Sequence, residues 1–315
     1  MFRFEKLNSD NINLLPMLFE NAFGSRRELN EILIKYKLFD IYPSYVSFLA
    51  FSIESNELAG FYGVLPSKFN YEGQFHLCGQ VCDLMTHSNY RRLGLFELIA
   101  KEAHTFLQIN GFKFVYTFPY EGAVSYFGFV NKLHFKEKSM NSYSLKVFTI
   151  PLSKKIQKGL LSSIYSIYLK ILFRLLFPKR IDSINTSFET NHYNQLIHDS
   201  YLFGYKRLLS KNNFLIQQQE IQSFMKIDRD GALSIGNLSL VNVNTFENSI
   251  KRLKIFCFLG FIRYIHFEVC SSNSLNGYLL KKTDFKNLYT ICFLNLDETI
   301  DVNKIEFDFI DIDSF

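Results

Sequence analysis

The sequence predicts an α/β fold on a mixed sheet, laid out in two successive halves. Three observations predict it. Residues 1–150 alternate runs of strand-forming side chains with segments of helical periodicity. A long apolar run, "FHLCGQVCDLMT", leads through a turn into an amphipathic helix, the strand–turn–helix step of an α/β unit. From about residue 183 a second mixed series begins, and "IKYKLFDIYPSYVSFLAF" in the first half has a weak echo in "FGYKRLLSKNNFLIQQQ" in the second.

The elements follow in order. "FRFEKL" is a short strand, and residues 10–38 carry helical periodicity. "YVSFLAFSI" and "NELAGFYGVLPSKFNYEG" read as antiparallel strands joined by a turn at Ser55 and Asn56. After the buried strand to Thr86, "RLGLFELIAKEAHTFLQIN" is a helix closed by Gly111. Strand "FKFVYTF", a short helix over 123–133 and a strand near "YSLKVFTI" complete the first half. Pro151–Arg180 then reads as one amphipathic connecting helix. Its polar positions recur every four residues and leave a wide apolar face, which must be covered by the protein or by a membrane surface. The second half holds strands at "NFLIQQQEIQSFMKI", "GALSIGNLSLVNV", "FIRYIHFEV", "YTICFLN" and "KIEFDFIDI", with a helix at "NTFENSIKRLKIFCFLG". The expected divisions are 1–150, 151–182 and 183–315.

Composition narrows the function. An apolar fraction of 48% supplies a sizeable core. The net charge of +5 is spread along the chain and lacks the clustered basic footprint of a nucleic-acid binder. Five cysteines, an odd number with no C-x-x-C pair, read as buried free thiols of a reducing compartment. "MFRFEKLNSDN" has no apolar signal core, so a cytoplasmic location is expected, with peripheral contact at the inner face of the membrane left open by the amphipathic segment. The histidines lack metal-ligand spacing, and no metal site is expected.

The stretch "THSNYRRLGLFELIAKEAH" carries the chemistry. Arg91 and Arg92 stand at a helix start, where the macrodipole is already positive, so an anion is required to reverse the sign. Free amides at that start, Gly94 for close approach and two guanidinium groups could cradle a phosphate; the alternative is a solvated turn whose arginines face water.

With its surroundings, "CDLMTHSNYRRLGLFELIAKEA" followed by "GFKFVYTFP" and "GFVNKLHFKE" resembles the GCN5-related N-acetyltransferase (GNAT) superfamily over residues 1–150. The superfamily loop V-x-P-x-Y-R-x-x-G-x-G is matched at Tyr90, Arg91 and Gly94; Ser88 stands for the usual proline and Phe96 for the last glycine. The resemblance implies acetyl-CoA as donor and transfer to a small-molecule primary amine by direct attack in a ternary complex. It places the pantetheine on Leu84, Met85 and Thr86 and the pyrophosphate on Arg91, Arg92, Leu93, Gly94, Leu95 and Phe96. The superfamily's frequent acid, the tyrosine of Y-x-K-x-G-F, falls on Val130, with His134 at the glycine; Tyr126, one turn earlier, is the substitute candidate. Asp83, a charge in an otherwise apolar strand, is the candidate base, with a structural carboxylate as the alternative. His87 is a minor candidate.

The second half has no R-x-x-G-x-[GAF] loop and is expected to be a degenerate GNAT-like acceptor-side domain. The chain resembles large members that accompany surface-polysaccharide synthesis, which implies an amino sugar, free or nucleotide-linked, as acceptor. Two alternatives stay open: a non-catalytic GNAT-like scaffold, and a peptidoglycan aminoacyltransferase fed by transfer RNA.

Overall fold

A computed structural model describes residues 1–37, 46–120, 122–150, 152–157, 161–177, 194–198, 206, 213–218, 221–228, 230–236, 243–270, 273, 275–283 and 285–312. In chain order the elements begin with β1 (Phe2–Lys6), α1 (Leu15–Phe23), α2 (Leu29–Lys37), β2 (Phe48–Ser52), β3 (Leu58–Tyr71) and β4 (Gln74–Thr86). Then come α3 (Leu95–Ile109), β5 (Phe112–Thr117), α4 (Val124–Phe127), β6 (Lys136–Lys146), α5 (Leu152–Gln157), α6 (Ser162–Leu176) and β7 (Gln195–Leu196). The rest are β8 (Asn213–Gln218), β9 (Ile221–Ile227), β10 (Leu233–Gly236), α7 (Val243–Leu259), β11 (Tyr264–Cys270), α8 (Asn276–Lys282) and β12 (Phe285–Asn295).

The chain divides into two compact units, neither contiguous in sequence. The first comprises Met1–Lys138, Thr190–Ile197 and Thr290–Ile305; the second comprises Ser139–Glu189, His198–Tyr289 and Glu306–Phe315. Each takes its last strand from the other half of the sequence. In the first unit Cys292–Asn295 of β12 pair antiparallel with β5, and in the second Met140–Lys146 of β6 pair antiparallel with β11. The boundaries expected at 150 and 183 therefore differ from the compact units. Periodicity orders elements along a chain but does not say which strand each one will neighbour.

In the first unit β1 to β4 form an antiparallel run, and β4 pairs parallel with β5. The crossover helix α3 buries Leu95, Ile99, Ala100, Ala103 and Leu107, one face at helical spacing. That face packs on Val64, Val81, Phe112 and Val115 of the sheet. Each buried Leu or Ile there contributes roughly 1.5–3 kcal/mol.

The second unit repeats the step: β10 and β11 are parallel and α7 connects them, with β9 and β8 antiparallel beyond β10. Its core includes Phe246, Leu253 and Phe256 of α7. Of the segment expected as one helix from Pro151 to Arg180, Leu152–Gln157 (α5) and Ser162–Leu176 (α6) are helical. The buried face of α6 (Tyr165, Leu169, Leu172 and Phe173) belongs to this unit's own core, where Phe173 meets Phe214 at 4.6 Å. Residues 151, 158–160 and 178–182 of that segment lie outside the described residues.

One expected strand is absent. "KIEFDFIDI" starts at the end of one short 3-10 turn (Val302–Lys304), holds another (Phe309–Asp311), and touches the sheet through isolated bridges such as Val269 to Asp308. Aspartates win it away from the sheet: Ile310 N–H donates to Asp308 Oδ1 (3.3 Å), and Asp308 N–H donates to Asp311 Oδ2 (2.6 Å). This segment fills the crevice at the ends of β10 and β11. Phe307 N–H donates to Cys270 Sγ (3.1 Å), and a side chain at Gly236 would meet Ile310 N at 2.9 Å.

Candidate active site

The loop after β4 is pinned on two sides. Ser88 N–H donates to Asn21 Oδ1 (2.8 Å) and Arg91 Nη2 to the Ala22 carbonyl (3.3 Å), which ties the loop to the end of α1. Tyr90 O–H donates to Glu57 Oε2 (2.8 Å), which ties it to the β2–β3 turn. His87 accepts the Asn89 N–H on Nδ1 (3.3 Å), so its ring serves the turn. The chain then passes through two left-handed residues, Arg92 (φ 65°) and Gly94 (φ 73°), and enters α3 with no side-chain cap. The amides of Arg92 to Phe96 have no acceptor among the described residues, because they precede the first intrahelical bonds. Uncapped amides, a helix dipole and two arginines make a site for an anion of the phosphate type.

The second feature is a break in β4. Phe61 faces Met85 and Gly63 faces Cys82, so Tyr62 alone stands opposite Asp83 and Leu84. Asp83 takes φ 48° at this bulge. On its other edge β4 pairs with β5 only from Leu77 to Gln80, so the strands part before β4 ends at Thr86. The parted edge leaves backbone groups of β4 available to a ligand.

Loop and parted edge face one cavity of about 730 Å³. Leu84, Met85 and Thr86 line it with Arg91, Arg92 and Gly94, as do Leu95 and Phe96. Leu93 points into solvent, 57% exposed. Phe61, Phe127 and Phe23 give it mostly apolar walls.

The two proposed catalytic side chains are placed elsewhere. Asp83 is absent from the lining; its Oδ2 lies 2.7 Å from Lys35 Nζ and accepts the Tyr36 hydroxyl at 2.8 Å. Tyr126 donates to Glu137 Oε1 at 2.5 Å, and its neighbour Ser125 lines the cavity instead.

Residues 3–129 match the family model of the acetyltransferase (GNAT) domain. The match spans 127 of the 315 residues, and over that stretch the chain is similar to a GNAT acetyltransferase domain. No curated protein sequence matches the chain. Among solved structures, a GCN5-related N-acetyltransferase from Kribbella flavida is similar over 94% of this chain and 72% of its own, with TM-score 0.62 and 11% identity. A probable N-acyltransferase from Enterococcus faecalis V583 covers 94% and 73%, with TM-score 0.61 and 12% identity. A GCN5-related N-acetyltransferase from Anabaena variabilis covers the same shares, with TM-score 0.59 and 12% identity. At these identities the likeness is one of fold.

The stretch departs from the GNAT motif at positions the structure explains. Phe96, in place of the loop's last glycine, lies over Gly128, where a Cβ would come 2.9 Å from Phe96 Cε1. The ring's space is thus supplied by a glycine on the following π-turn. His134, in place of the later glycine, keeps a left-handed φ of 56°. Val130 packs against the domain's core.

Sequence reasoning missed the groups that hold the bulge. Lys35 and Tyr36 on α2 fix Asp83, and Gly63 makes room for them: a Cβ there would sit 2.4 Å from the Cys82 carbonyl oxygen and 2.5 Å from the Tyr36 hydroxyl. Two signals were available. Lys35 shares the buried face of α2 with Ile32 and Tyr36 at steps of three and four, and a glycine inside a strand marks close approach.

Proposed function

We propose that the GNAT domain transfers an acetyl group from acetyl-CoA to a primary amine of a small molecule, an amino sugar, free or nucleotide-linked, being the acceptor class. The observation that carries the reading is the meeting, in one cavity, of uncapped α3 amides and the parted edge of β4. The arginines and amides of the loop hold the diphosphate of the donor. The edge at Leu84 to Thr86 orients the amide-bearing arm, and Phe61, Leu95 and Phe127 exclude water from it.

The donor supplies an activated acyl carbon. Catalysis by the chain is then mainly orientation, which is worth effective molarities of about 10⁵–10⁸ M when two reactants are well placed. Asp83 acts through the bulge as a positioning residue, and Tyr126 holds α4 to Glu137. Ser125 is the hydroxyl proposed to hold a proton for the departing sulfur. The second unit, whose comparable crevice is filled by its own C-terminal segment, is assigned to acceptor recognition. The amino-sugar assignment rests on sequence resemblance.

A thiol-release assay with acetyl-CoA against amino sugars, polyamines and amino acids tests the proposal. Release that depends on an amino sugar is the expected outcome. Release with amino acids alone would contradict the acceptor class, and no release with any amine would contradict the transfer.

A further inference from the structure

Helix α6 carries two apolar stripes, and only one is buried. Tyr165, Leu169, Leu172 and Phe173 enter the core of the second unit. Beside them run Leu161, Ile164, Tyr168, Ile171 and Leu175, at steps of three and four residues that keep them on one side of the helix. All five are exposed, from 39% at Tyr168 to 75% at Leu175. The surface continues onto the end of α7. Tyr168 O–H donates to the Leu259 carbonyl (2.9 Å), and Ile255, Phe258 and Leu259 are exposed there. A contiguous apolar surface rimmed by polar groups marks an interaction site.

Among the described residues of α6 and of α7 after Glu247, the charges have one sign. Lys170 and Arg174 stand exposed on α6, and Lys251, Arg252 and Lys254 on α7. No aspartate or glutamate occurs from residue 151 to 181, or between Glu247 and Glu268. Two copies of this face would set their cations against each other. A surface of anionic lipid would neutralise them while accepting the apolar side chains.

We propose that this face of the second unit docks on the surface of an anionic bilayer, with α6 lying in the plane of the interface. Among the described residues no helix is long and apolar enough to cross a membrane, so the contact is peripheral.

Flotation of the full chain with phosphatidylserine-containing vesicles, and with phosphatidylcholine alone, tests it. The chain floats with the first at low salt, is released as salt rises, and does not float with the second. Ile171→Asp/Leu175→Asp and, separately, Lys170→Glu/Arg174→Glu weaken binding about tenfold or more, with the melting temperature unchanged. Should the aspartate pair fail to fold, Leu175→Ser must still float less than wild type. Failure of the wild-type chain to float with phosphatidylserine overturns the proposal. So does a dimer in sedimentation that Leu175→Ser dissociates, which would give the face to a second copy.

Discussion

Lys35 Nζ stands 2.7 Å from Asp83 Oδ2, both side chains at or below 10% exposure, at the point where β4 bulges. An ion pair so enclosed costs much desolvation, and loss of one partner leaves the other charge buried. Lys35→Met is predicted to destabilise the chain by about 3–5 kcal/mol, read by urea unfolding. Asp83→Asn is predicted to lower kcat while leaving the acidic limb of the kcat/KM pH profile in place, the outcome expected of a residue that acts by holding the bulge. Loss of that limb would make it the base.

Gly63→Ala is predicted to be among the most damaging single changes in the first unit. The added carbon would press on a backbone oxygen at 2.4 Å, which cannot rotate away as a side chain can. Thermal unfolding should show a loss of several degrees, against little change for Gly277→Ala, where a Cβ would meet nothing within 4 Å and φ is not left-handed.

Substitutions on α4 separate two hydroxyls. Tyr126→Phe removes a bond to Glu137 outside the cavity and is predicted to change kcat less than about threefold. Ser125→Ala is predicted to lower kcat about tenfold or more with KM for acetyl-CoA little altered, the signature of a group acting in the transition state. The reverse order would restore Tyr126 as the acid.

His104 gives a pH test. Burial lowers its pKa to about 4, and its Nε2 is 2.7 Å from the Tyr62 hydroxyl. Between pH 6.5 and 4 the unfolded chain binds a proton there that the folded chain does not, so stability falls as pH falls through that window. The loss is on the order of 3 kcal/mol, and His104→Gln should flatten that part of the stability profile.

The loop and the bulge differ in how far the sequence discloses them. Arg91, Gly94 and the following helix are contiguous, and their charge conflicts with the local dipole, so the anion site is legible in the sequence alone. The bulge joins Gly63, Asp83 and Lys35 from three separate elements, and a single sequence shows only an odd charge in an apolar strand. The exchange of β6 and β12 between units is illegible for the same reason. "KIEFDFIDI" misleads because its apolar alternation satisfies a strand, while Asp308 and Asp311 satisfy its amides locally.

If the Arg91–Phe96 loop holds the donor and the second unit holds none, calorimetric titration of acetyl-CoA into the full chain and into Arg91→Glu will show it. One site per chain is predicted in the wild type. Binding about tenfold weaker or more is predicted in Arg91→Glu, with the unliganded melting temperature unchanged. Equal affinity in the two proteins, or two sites per chain, would contradict the assignment of the donor to this loop.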